Sequence, residues 1–164
     1  MYDGGIYAEC MTAPVTKPFF RFLQYLFCIL GAVCLVGAVI SFFAVIPAIA
    51  FWLLGWFFGS RSSVEYEYSL LGRELTVDAV FNKSSRKTAG IYDLDKAQGI
   101  YPEGASRLMA YEGRNLKKTD YSEGKDAPGN HVIVMEGDEL ILFTPDEEFL
   151  AALRKSVKDK VFGA

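Results

Sequence analysis

The feature that most constrains this chain is the long apolar run from Phe22 to Gly59. It contains no charged residue, no His and no Asn, and Gln24 is its one amide side chain. A single membrane span needs about 20 residues, each adding about 1.5 Å of helix. Because the run is roughly twice that length, we expect it to fold back as a transmembrane helical hairpin.

A cleaved secretory signal is the main alternative explanation of the run. Lys17 and Arg21 precede it, and Ala48–Ala50 resembles a small-residue cleavage site. However, the apolar core of a signal has only about 7 to 15 residues, and here the apolar character continues past the tripeptide through Leu54. The length therefore favours two spans.

The two spans are predicted at about residues 20–40 and 43–58, with the turn near Ser41. Aromatic residues crowd the outer ends of both spans, where amphipathic rings prefer the membrane interface. Basic residues flank the same ends and are missing from the turn, and the positive-inside rule then places both termini in the cytoplasm. These basic residues are Lys17, Arg21, Arg61 and Arg73.

The predicted domains are a leader (1–18), the hairpin (19–59) and a cytoplasmic domain (60–164) of a multi-pass cell-membrane protein. Glycines and prolines break up the leader, which is therefore expected to be extended or weakly ordered. Small residues recur at helical spacing in the spans, for example Gly55 and Gly59. Close packing within the hairpin is the favoured explanation, and a homo-oligomer through the transmembrane helices is the alternative.

From Ser60 onwards, apolar and polar residues alternate with the period of half-buried strands. Turn formers such as Asn82 and Gly72 separate the alternating stretches. Seven short strands are predicted, at about residues 64–69, 75–81, 86–92, 97–101, 116–121, 131–136 and 139–143.

A C-terminal helix is the clearest element predicted in the domain. Thr144 is expected as its N-cap, with Pro145 at the first helical position and Glu147 completing a capping box. Apolar residues then recur at three- and four-residue spacing, including Phe149 and Leu153. This amphipathic pattern predicts that one helix face packs on the sheet.

Specific residues also carry a family resemblance. They are Glu65–Tyr68, Tyr92–Leu94, Pro102, Glu103, Ser106, Leu108, Asp120–Ser122, Phe143, Pro145, Glu147 and Glu148. The chain resembles an uncharacterised family of small two-span bacterial membrane proteins with a pleckstrin-homology-like (PH-like) cytoplasmic domain. The resemblance implies an α+β membrane protein, in which the helical hairpin precedes a seven-stranded antiparallel PH-like β barrel or sandwich with a C-terminal α-helix. It implies no activity and no binding residue.

The residues suited to chemistry do not form a recognisable catalytic or metal site. His131 is the chain's one histidine and has no Cys or second His at a metal-ligand spacing. The carboxylate pairs Asp93 with Asp95 and Glu147 with Glu148 are better explained by turn formation and helix capping than by acid–base catalysis. We therefore expect no enzyme activity, no cofactor and, with a formal charge of −3, no nucleic-acid partner.

One basic cluster is a candidate contact for lipid or another anion. Lys83, Arg86 and Lys87 lie at a predicted hairpin tip, where each charge near an anionic leaflet is worth about 1 kcal/mol. Basic residues at such tips also serve solubility and discourage edge pairing, and this alternative remains open.

The leading functional hypothesis is a membrane-tethered, non-enzymatic interaction module. Its PH-like domain would be presented to a protein partner or to anionic lipid of the bilayer. The alternative is an accessory or regulatory subunit of a membrane transporter or envelope complex, assembled through the hairpin at Gly55 and Gly59.

Overall fold

The computed structural model describes residues 6–83, 85–111, 115–125 and 127–162. The chain forms two compact units. We call Pro14–Glu65 with Val80–Ser85 the hairpin unit, and Met1–Ala13, Tyr66–Ala79 and Arg86–Ala164 the sheet unit.

Two apolar helices dominate the hairpin unit. α1 is Pro18–Gly37, and a short 3₁₀ turn, Phe42–Ala44, leads into α2, Val45–Gly59. Pro18 suits the first helical position because its fixed φ and missing N–H cost nothing there. The segments Pro18–Gly37 and Phe42–Gly59 are long and apolar enough to cross a membrane. Only 6% and 11% of an 18-residue apolar stretch in each segment is buried.

Small residues and stacked rings join α1 to α2. Gly31, Ala48 and Gly55 are buried between the helices, and the ring of Phe27 stacks on that of Phe58 at 5.5 Å. The predicted turn near Ser41 is confirmed. α1 ends three residues earlier than predicted, at Gly37.

A two-stranded ladder joins the outer ends of the two helices within the hairpin unit. β2, Val15–Thr16, lies just before α1 and pairs antiparallel with the first residues of β3, Ser63–Leu71. Lys17 N–H adds a 2.8 Å hydrogen bond to the carbonyl oxygen of Ser62. The start of α1 and the end of α2 are therefore held side by side.

The first sheet contains five strands. β1 is Tyr7–Met11, β4 is Glu74–Phe81 and β5 is Ser85–Asp93. The strand order is β1-β3-β4-β5, and β2 also pairs with β3. In the turn between β3 and β4, Gly72 adopts φ +62°, a conformation that glycine accepts at no steric cost.

The second sheet lies entirely in the sheet unit. It contains β6, Ala97–Pro102, β7, Lys117–Asp120, β8, His131–Met135, and β9, Glu139–Phe143, in the order β6-β8-β9-β7. β8 pairs antiparallel with β6 and β9, whereas β7 runs parallel to β9.

All seven predicted strands are present, but the predicted count of seven and the purely antiparallel arrangement are wrong. The described residues contain nine strands, because the leader supplies β1 and β2, which both pair with β3. Thr12 explains part of the leader's order, since its hydroxyl accepts a 2.8 Å hydrogen bond from Tyr66 N–H in the buried interior. Residues 1–5 of the predicted leader lie outside the described residues.

The C-terminal helix α3 is Glu147–Ser156, and it starts later than predicted. Its N-cap is Asp146, whose Oδ1 accepts a 2.7 Å hydrogen bond from Phe149 N–H. Thr144 is instead buried and donates a 2.6 Å hydrogen bond to Asn130. The predicted packing face is confirmed for Phe149 and Leu153, which are fully buried, and α3 packs against β1.

Candidate functional site

The hairpin unit concentrates positive charge at the outer ends of its helices. Lys17 directly precedes α1, Arg21 lies in its first turn, and Arg61 follows α2 by two residues. Lys83 lies in the turn between β4 and β5, which belongs to the same unit. We call these four residues the basic collar.

Backbone contacts within the hairpin unit bring the collar to one end. Thr16 pairs with Ser63 across the β2–β3 ladder, which places Lys17 close to the residues that follow α2. The Asn82 N–H, beside Lys83, makes a long hydrogen bond of 3.4 Å to the Ser63 carbonyl oxygen. Since neighbouring strands lie only about 4.8 Å apart, the collar residues gather around Ser63.

The hairpin unit carries a net positive charge. It holds four of the chain's 17 basic side chains and one of its 20 acidic ones, Glu65, which gives a formal charge of +3. Glu65 is buried. The remaining 13 basic and 19 acidic residues give the sheet unit a charge of −6. The opposite end of the hairpin, residues 38–44, carries no charged side chain.

Aromatic rings lie beside the collar. The Arg61 guanidinium is centred 4.1 Å from the ring centroid of Phe57, a cation–π contact at the end of α2. Phe19 and Trp56 are 66% and 73% exposed. This combination of cations and exposed rings is typical of residues that lie at a membrane interface.

The three basic residues of the predicted tip differ in their contacts. Lys83 is exposed in the hairpin unit, whereas Arg86 and Lys87 are exposed in the sheet unit. Arg86 forms an ion pair with Glu67, which reduces its availability for another anion. Of the three predicted residues, only Lys83 belongs to the collar, and sequence proximity alone could not indicate this.

Lys83 occupies an unusual backbone conformation. Asn82 and Lys83 both have positive φ, 47° and 56°. Hairpin turns of this geometry favour Asn followed by Gly, because a side chain is strained at the second position. A lysine is therefore held here at some conformational cost.

The other residues considered for chemistry have structural roles. His131 Nδ1 lies 2.7 Å from the Gly129 carbonyl oxygen. Asp93 caps a 3₁₀ turn by accepting a 3.0 Å hydrogen bond from Asp95 N–H, and Asp95 forms a 2.6 Å ion pair with Arg73. Glu147 and Glu148 lie in the first turn of α3, where acidic residues favour the helix dipole. Within the described ranges, no group of three or more His, Cys, Asp or Glu residues is placed to hold a metal ion.

The glycines suggested for helix assembly face the interior of the hairpin. A Cβ on Gly55 would lie 3.1 Å from Cys28 Sγ, and one on Gly59 would lie 2.7 Å from the amide of Gln24. Both positions are therefore used for packing α2 against α1, so an assembly with another membrane protein would need a different face.

Two β-sheets, a C-terminal helix and two apolar N-terminal helices are the architecture expected for a PH-like domain carried on a helical hairpin. The chain belongs to the family described as Bacterial PH-like domain (DUF6106), whose model matches residues 4–163. The resemblance inferred from the sequence is thereby confirmed over nearly the whole chain. No curated protein and no solved structure matches it.

Proposed function

We propose that this protein is a membrane-tethered, non-enzymatic interaction module. Its hairpin spans the bilayer with both termini in the cytoplasm, and its basic collar contacts anionic lipid headgroups while the PH-like domain is presented to a partner. The observation that carries the proposal is the placement of all four hairpin-unit cations at one end of two apolar helices.

The lengths and exposure of the helices support a membrane-spanning role. At about 1.5 Å per residue, the 20 residues of α1 extend about 30 Å, which matches the hydrocarbon thickness of a bilayer. Apolar side chains such as Phe22 and Ile29 are 63% and 62% exposed. Exposing these apolar side chains to water would cost free energy, whereas contact with lipid chains would not.

Charge supports the proposed orientation and the lipid contact. Cytoplasmic ends of spans carry an excess of Lys and Arg, and the collar provides that excess against an uncharged turn. Each cation near an anionic leaflet contributes about 1 kcal/mol. Four such residues together give the collar a substantial preference for anionic over zwitterionic lipid.

The orientation is tested by thiol labelling in intact cells. In a variant with Cys10→Ala, Cys28→Ala and Cys34→Ala, single cysteines are introduced at Ser41, in the turn, or at Ser106, in the domain. We expect a membrane-impermeant maleimide to label Ser41→Cys in intact cells and Ser106→Cys only after permeabilisation. The reverse pattern, or recovery of the protein in the soluble fraction, would refute the proposal.

The lipid contact is tested on the full chain reconstituted in mixed bilayers, using spin-labelled phosphatidylglycerol and phosphatidylcholine. We expect the wild type to immobilise the anionic probe preferentially. Replacing Lys17, Arg21, Arg61 and Lys83 by Gln should reduce that preference by about tenfold or more.

A matched control removes the same number of charges from the sheet unit. It replaces four exposed basic residues by Gln, namely Lys96, Arg154, Lys155 and Lys158. We expect this control to keep most of the wild-type preference. Equal losses in the two variants would show a bulk charge effect and would overturn the collar's role.

A further inference from the structure

The sheet unit contains a cavity of about 400 Å³ on one face of the second sheet. Its lining is mainly apolar and also includes charged residues, and we refer to these two groups as its floor and its rim. The floor residues used below are Leu108, Met109, Val132, Leu140 and Leu142. We call this cavity the sheet groove.

The sheet groove exists because β8 and β9 are apolar on both faces. Ile133 pairs with Ile141 on the core face, and both are fully buried. Val132 pairs with Leu142, and this pair points to the other face because successive strand residues alternate. An outward sheet face is usually polar, so these residues require a cover.

The described part of the connection from β6 to β7 provides some of that cover. Its 3₁₀ segment, Ser106–Tyr111, contributes Leu108 and Met109 to the groove. Leu108 is partly buried, whereas Met109 is 65% exposed. Within the described residues, Met109 therefore keeps most of its apolar surface exposed, and Leu140 and Leu142 are only half-buried.

Each acid of the charged rim is already hydrogen-bonded to a neighbouring residue. Glu103 Oε2 accepts a 2.6 Å hydrogen bond from Asn130 Nδ2. Asp120 Oδ1 accepts hydrogen bonds from the Ser122 N–H at 2.9 Å and its hydroxyl at 2.7 Å. Lys118 and Lys125 also line the groove, and neither ammonium forms an ion pair with any residue that the structure describes.

We propose that the sheet groove binds a single-chain amphiphile with an anionic headgroup, of the fatty-acid type. The acyl chain would lie on the apolar floor, and the carboxylate would be bound by Lys118 and Lys125. A volume of about 400 Å³ is at the small end of ligand sites, which run from roughly 300 to 1,000 Å³. This size suits one acyl chain better than a two-chain phospholipid. The inference does not depend on the proposed function of the collar.

The proposal is tested on the full chain in zwitterionic nanodiscs with a photoactivatable hexadecanoic acid. Labelled peptides are identified by mass spectrometry, so that labelling of the groove and of the spans is measured separately. We expect labels on the peptides that contain Leu108 and Leu140. Unlabelled hexadecanoate should compete, whereas the uncharged monoacylglycerol of the same chain should not.

Two variants test the chemistry of the site. Lys118→Glu with Lys125→Glu reverses the charge of the two rim lysines, and Ala105→Phe places a ring at another residue that lines the groove. We expect each to lower groove labelling by about fivefold or more. The control, Lys155→Glu with Lys158→Glu on or just after α3, should leave groove labelling unchanged.

Labelling confined to the spans, equal competition by the monoacylglycerol, or groove labelling that neither variant alters would overturn the proposal. Span labelling serves as an internal reference, since it depends on membrane insertion and not on the groove. Failure of the groove proposal is thereby distinguished from failure of the membrane proposal.

Discussion

The Tyr68 hydroxyl donates a 2.5 Å hydrogen bond to the carbonyl oxygen of Tyr121. It also accepts a 3.2 Å hydrogen bond from Thr144 N–H. Tyr68 is fully buried in β3 of the first sheet, while Tyr121 and Thr144 directly follow β7 and β9 of the second. Burial raises the pKa of this phenol above its ordinary value. One neutral hydroxyl thus joins the two sheets.

Tyr68→Phe should destabilise the sheet unit by about 1–3 kcal/mol, because it leaves a buried carbonyl and a buried N–H without their partner. The apparent melting temperature of the full chain in detergent measures this. Tyr7→Phe is the control, since the Tyr7 hydroxyl bonds to Glu9 at an exposed position. A melting temperature unchanged by Tyr68→Phe would show that the hydroxyl is dispensable.

Asp146→Ala should lower stability by about 1 kcal/mol, because it removes the side chain that caps α3. Glu147→Ala should have a much smaller effect, since Glu147 is in the first helical turn and contributes through the dipole alone. Both variants lose one negative charge, so thermal unfolding compares them directly. A larger loss for Glu147→Ala would favour the capping box that the sequence predicts.

Gly31→Ala should destabilise the helical hairpin by about 1–3 kcal/mol, because the new methyl group would overlap the Trp52 ring. Gly37→Ala is the matched control. Its methyl group would lie 3.8 Å from Ala44 Cβ, an ordinary contact. Melting in detergent, followed by helical circular dichroism, should therefore show a loss for Gly31→Ala alone. Equal behaviour of the two would contradict the packing described.

Cys10 should make stability depend on alkaline pH. Burial raises the pKa of its thiol from 9.0 to about 11. The unfolded chain therefore releases this proton first, so the contribution is complete below pH 9 and is lost as the pH rises to 11. Between pH 8 and 10, the melting temperature of Cys10→Ala should fall less steeply than that of the wild type. Identical slopes would contradict the buried, neutral thiol.

Much of the fold could be predicted from the sequence because its signals are local. The apolar run, with cations at its ends alone, predicts the helical hairpin. Period-two alternation predicts seven strands, all of which the structure contains. The position of the final helix was predicted within a few residues. Its N-cap is Asp146, however, which directly precedes the first helical residue.

The parts of the fold that could not be predicted from the sequence depend on contacts between residues far apart in the chain. β1 and β2 form because β3 offers partners more than 40 residues away, and a short leader with little alternation carries no sign of that pairing. Thr144 looks like a helix cap locally, but Asn130 and Tyr68 fix it in the interior. The ion pair of Arg86 with Glu67 likewise joins residues that are 19 positions apart.

A signal for the sheet groove was present in the sequence. The runs His131–Met135 and Glu139–Phe143 contain consecutive apolar residues instead of strict alternation. Such runs are typical of strands covered on both faces. Periodicity alone could not identify the cover or show that it leaves a cavity.

The ladder between β2 and β3 determines where the hairpin can adapt to its surroundings. This ladder pairs Val15 with Val64 and Thr16 with Ser63, and it holds the two helices together at one end. The segment between Gly37 and Phe42 contains no strand. In a bilayer thinner or thicker than the hairpin, we expect adjustment by tilt and by rearrangement of this turn. A change in bilayer thickness would then alter the turn between the helices, and the end held by the β2–β3 ladder would keep its geometry.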